Sequence, residues 1–188
     1  MFPLYIWMVT GLLTAALIFF VFAQAALTRG SGQSAADAAA LAAAQEARDL
    51  LYDDFLGGIG EDGDEDIDLG DILDGLDLPD GPPCDAAARL ADRNDANVDD
   101  CGRSEAGDGY RVVVETRDTV GDSLIPGTED LTATAEATAV IRGQCELTTE
   151  EDDRIELRCD EDRDWSFDPG DEAGRPEARD LFRVYLED

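Results

Sequence analysis

The sequence predicts an α+β protein: an N-terminal transmembrane helix continuing into an alanine-rich helix, then an acidic linker and a small antiparallel-sheet domain with disulfides. Three observations carry that prediction. Residues Met1 to Thr28 contain no charge. They are followed by Arg29 and, after Gly30-Ser31-Gly32, by Gln33-Ser-Ala-Ala-Asp-Ala-Ala-Ala-Leu-Ala-Ala-Ala44. From Cys84 onward, short alternating segments are interleaved with two close pairs of cysteines. The expected divisions are residues 1–28, 29–56, 57–83 and 84–188.

Leu4 to Leu27 is Leu, Ile, Val, Phe and Ala with few interruptions. As a helix it covers about 36 Å, enough for a ~30 Å hydrocarbon core. Tyr5 and Trp7 sit at one end, where amphipathic rings favour the headgroup level, and Pro3 is harmless near a helix start. A cleaved signal peptide is the competing reading, since Ala23-Gln24-Ala25 has the small-x-small pattern of a cleavage site. The length of the run, beyond a 7–15-residue signal core, favours an anchor.

Ser34 and Asp37 match a capping box, which predicts a helix from Ser34 to Phe55 built of strong helix formers. Leu41, Ala44, Arg48, Leu51 and Phe55 fall on one side of it. Gly30 and Gly32 mark either a hinge from the membrane helix or a continuous helix with a bend. The small residues Ala35, Ala36, Ala39, Ala40 and Ala43 allow close helix packing, against either the chain's own domain or another helix.

Gly57 to Pro83 is dense in Asp, Gly and Pro, the composition of an exposed linker, with a short amphipathic turn around Ile72 and Leu73. Beyond it, Asp85 to Arg93 suits a short helix. Tyr110–Thr116, Thr132–Ile141, Arg154–Cys159 and Leu181–Leu186 read as strands of one small antiparallel sheet, with the alanine helix covering a face.

All 14 basic residues are arginine and there is no histidine; against them stand 45 Asp and Glu, for a formal net charge of −31. Such a chain repels phosphate backbones, so nucleic acid is not an expected partner. Asp62, Asp64, Asp66 and Asp68 have the alternating spacing of an EF-hand loop start. Ile67 stands where that loop needs glycine, and Leu73 where it needs the bidentate glutamate. The run is therefore a solvated linker or, in the second reading, a weak divalent-cation site; no other cofactor is implied.

Four cysteines, Cys84, Cys101, Cys145 and Cys159, admit three connectivities. Sequential pairing closes the shortest loops and is favoured. Disulfides belong to an oxidising compartment, which places the C-terminal domain outside the cytoplasm, although Arg29 alone points the other way. Without histidine, lysine or a nucleophile elbow, nothing marks an enzyme.

The segment Gln24-Ala-Ala-Leu-Thr-Arg29 followed by Gln33 to Ala44, with Ala35 to Ala43 the most specific part, resembles the N-terminal region of TadE/TadG-type proteins of tight-adherence (Tad, or Flp) pilus-assembly systems. The likeness covers about the first 50 residues. It implies a single-pass, pilin-like accessory of the bacterial cell membrane with an extracytoplasmic domain. Such a protein acts by helix-mediated assembly with the lipid bilayer and other Tad-like components as partners. The alternative, of another class, is an anchored or secreted acidic protein that binds divalent cations through its Asp-rich segment.

Overall fold

Alanine and leucine are strong helix formers, and between Pro3 and Gly57 there is no further proline and glycine stands only at isolated positions, so one helix forms without interruption. In a computed structural model, which describes residues 2–59, 68–76, 78–117, 119, 132–151, 154–160 and 163–187, α1 runs from Phe2 to Gly58, 57 residues and about 85 Å. Neither a hinge nor a new helix start occurs at Gly30–Ser34. Ser34 is an exposed mid-helix residue, and Asp37 accepts a hydrogen bond from Gln33 Nε2 (2.7 Å) instead of closing a capping box. Gly32 has a packing role: a Cβ there would come 3.3 Å from Thr116 Cγ2 and 3.7 Å from Ala135 Cβ. Among the described residues no helix is long and apolar enough to cross a membrane. The unbroken stretch of described apolar side chains, Tyr5–Phe20, spans about 24 Å.

The remaining helices are α2 (Leu69–Leu73), α3 (Pro82–Arg93) and the single turn α4 (Ala178–Leu181). Among the described residues seven strands form two antiparallel sheets where one was expected. The first has the order β1 (Ala96–Arg103), β2 (Gly109–Thr116), β3 (Thr134–Gly143), β7 (Phe182–Leu186). The second has the order β4 (Cys145–Glu151), β5 (Arg154–Cys159), β6 (Arg163–Phe167). In the first sheet Tyr110, Val112 and Val114 of β2 and Ala137, Ala139 and Ile141 of β3 point to the core. Helix α1 lies across that face with α3 beside it.

The acidic stretch departs from its expected role as an exposed linker. Its second half folds: Leu69, Ile72, Leu73 and Leu78 are buried, and Asp68 caps α2 by accepting from the backbone N–H of Gly70 and Asp71. The apolar residues recur at helical spacing within a polar background, and that is enough to seat one turn. Tyr110 Oη donates to the Pro79 carbonyl and Arg103 Nη2 to the Leu78 carbonyl, which fix the chain leading into α3. A methyl group at Gly143 would overlap the Leu73 carbonyl, so only glycine lets β3 end against α2. Leu181, expected as the first residue of a strand, instead closes α4 and is buried.

Both disulfides follow the sequential pairing. Cys84–Cys101 ties α3 to β1 across a separation of 17 residues, and Cys145–Cys159 joins directly opposed residues of β4 and β5 across 14. Loops of this size contribute about 3 kcal/mol each in the chain-entropy model.

Two expectations follow. Burial pushes the Tyr110 hydroxyl up to about 12, so the folded state favours the neutral phenol. Its contribution to stability is complete below pH 10 and is lost as pH rises from 10 through 12. A urea-denaturation series over that window should show a fall in stability that Tyr110→Phe flattens. Ala39 is 0% exposed, so Ala39→Leu should cost about 1–3 kcal/mol by overpacking, whereas Gln45→Leu on the exposed side should change stability by about 0.5 kcal/mol or less.

Candidate functional site

Helix α1 presents two different surfaces along its length. From Tyr5 to Phe20 every described side chain is exposed, on all sides of the helix; Trp7 is 80% and Phe19 76% exposed. The side-chain hydrogen bond that the described residues make in this stretch is local: Thr14 Oγ1 donates to the Thr10 carbonyl at 2.8 Å. A threonine that bonds back into its own helix presents no unsatisfied donor to apolar surroundings.

From Ala35 onward the same helix is interior. Ala35, Ala36, Ala39, Ala40 and Ala43 are all 0% exposed, as are Ala44, Ala47, Leu51 and Phe55. Buried positions at i, i+1, i+4 and i+5 make a stripe wide enough to meet the sheet on one side and α3 on the other. The close approach that alanine permits is made with the chain's own domain. Of the stripe drawn from sequence, Ala44, Leu51 and Phe55 are buried, while Leu41 and Arg48 are only half-buried.

Polar contacts hold the point where α1 meets the sheet. Gln33 Nε2 donates to the Glu136 carbonyl at 3.2 Å. On the sheet's other face the Arg111 guanidinium grips the Glu136 carboxylate through Nε (2.6 Å) and Nη2, and reaches Asp100 at 3.2 Å. The hydrogen bond from Arg111 holds the Glu136 carboxyl below its usual range.

Asp62, Asp64 and Asp66 lie outside the described residues, and Asp68 is engaged as the α2 cap. Among the described residues no group of three or more His, Cys, Asp or Glu is placed to hold a metal ion. A cleft of about 550 Å³ opens where the two sheets meet, lined by Asp74, Arg142, Gln144, Glu146, Arg158 and Asp160. Its wall includes Cys145 and Cys159, whose sulfurs are joined and carry no thiolate.

Sequence reasoning missed the packing role of Gly32 and the fully enclosed state of the alanines. The first has no sequence signal apart from the glycine itself. The second is signalled by alanine pairs recurring every four residues, a two-sided small-residue stripe. No family model matches the chain, and no curated protein or solved structure matches it either.

Proposed function

We propose that this chain is a single-pass membrane protein of a Tad-like pilus assembly or secretion apparatus, a pilin-like accessory that acts by helix packing and not by catalysis. The observation that carries the reading is the first half of α1. Its described apolar side chains are exposed on every side and continue without a break into a helix buried in a folded domain. A helix that is apolar all round is stable only where lipid or other helices cover it. The uncharged sequence extends to Thr28, and Leu4–Leu27 supplies the length a bilayer needs.

The two disulfides support an extracytoplasmic domain, and the residue pattern from Gln24 to Ala44 supports the Tad-like apparatus. Because Ala35 to Ala43 are occupied by the domain, lateral docking on other components falls to the part of α1 before Gly30. Helices in lipid associate by van der Waals packing and interhelical hydrogen bonds, which suits an accessory without a reaction of its own.

Fractionation of the expressing cells tests the anchor. The full chain should stay with membranes through an alkaline carbonate wash and be released by detergent. The double substitution Leu13→Asp/Leu17→Asp should abolish that retention, since each carboxylate costs about 2.5–3.5 kcal/mol near a bilayer centre. Release of the unsubstituted chain by carbonate would contradict the reading. In the source cell, a photo-cross-linker at Leu13 should capture another single-pass pilus component, and one at Gln45 should not. Lipid adducts alone would contradict the docking role.

A further inference from the structure

The outer face of the first sheet, opposite α1, carries its arginines in two ways. At the end where α1 enters, Arg111 is satisfied by Glu136 and Asp100. At the other end Arg142 of β3 stands directly opposite Arg183 of β7, both exposed. Neither makes a hydrogen bond or ion pair with any described residue. Like charges directly opposite across a sheet are destabilising. On this face the pair contrasts with Arg111, which two carboxylates hold at the other end.

The next row of the same face is apolar. Val140 is buried and stands opposite Tyr185, which is 40% exposed. Among the described residues β7 is also the edge of its sheet, with β3 as its one strand neighbour. Guanidinium forks beside an exposed tyrosine are the composition of a protein-recognition patch, and paired guanidinium groups suit carboxylates geometrically. A bare phosphate polymer would use the arginines and leave the tyrosine unused.

The patch also faces away from the entry of α1. Gly32 packs beside Thr116 and Ala135, and Gln33 binds the Glu136 carbonyl, so the apolar half of the helix leaves the sheet near Thr134. Arg142 lies about 26 Å further along β3 at ~3.3 Å per residue. Whatever covers the apolar helix is not what meets these arginines.

We infer that Arg142, Arg183 and Tyr185 form a docking site for an acidic protein segment, one that presents carboxylates beside an apolar side chain. The inference stands independently of the membrane reading. The test uses the full chain in mild detergent and a fluorescein-labelled peptide of four glutamates around one tryptophan, read by anisotropy at low salt. Saturable binding is expected, weakened about tenfold or more in Arg142→Gln/Arg183→Gln and unchanged in Arg117→Gln. Arg183→Glu, which sets opposite charges across the pair, should lose the peptide while its urea midpoint holds or rises, separating lost binding from lost folding. The inference is overturned if the peptide does not bind, if it binds the double variant equally, or if a glutamine version binds as well. It is equally overturned if inorganic polyphosphate binds through the same arginines and the peptide does not.

Discussion

The fold depends on one steric constraint: a single helix must be approached closely by a sheet and by another helix over the same four turns. Ala35 to Ala47 meet that constraint because a methyl group is the largest side chain that fits on both sides. Larger fully buried residues return at Leu51 and Phe55, where α1 passes beyond the crowded region, and Gly32 marks the tight entry at the other end. The rest of the core is arranged around that rod. β2 and β3 supply alternate Val, Ala and Ile to one side, α3 supplies Ala87 and Ala91 to the other, and α2 closes the end.

A domain with this charge repels itself, and surface ion pairs do little to offset that. The eight ion pairs among the described residues are largely solvent-exposed, with Arg111–Glu136 the best bonded of them. Cohesion comes instead from the apolar core and from two disulfides, each placed where a short or acidic element meets the sheet framework. Cys84–Cys101 holds α3 to the acid-bearing edge strand β1, and Cys145–Cys159 holds the start of the second sheet. Like charge spread over the surface discourages self-association.

Much of this was legible in the residues. Strands β2, β3, β5 and β7 declare themselves by alternation, α3 by composition, and the cysteine pairs by spacing. Three strands did not. β1 is acid-rich, and a bulge between Val98 and Asp100 breaks its period of two. β4 is mostly Glu and Thr, and β6 is short and half polar. These strands lie at sheet edges, where one flank faces solvent and the hydrophobic signal is weak. The burial of Leu69 to Leu78 was masked by the aspartates around it, because composition averages hide four well-placed apolar residues. The alanine stripe was visible, but whether it met its own domain or another chain depended on long-range packing that no local pattern encodes.

Two environments therefore share one helix: an apolar length that no described residue covers, and an alanine length with none exposed. Hydrogen–deuterium exchange of the full chain, compared between lipid nanodiscs and detergent-free buffer, tests that division most directly. The account predicts slow exchange at Ala35–Leu51 in both conditions and protection of Tyr5–Phe20 that depends on the bilayer. Equal protection of Tyr5–Phe20 without lipid, or fast exchange through Ala35–Leu51, would contradict it.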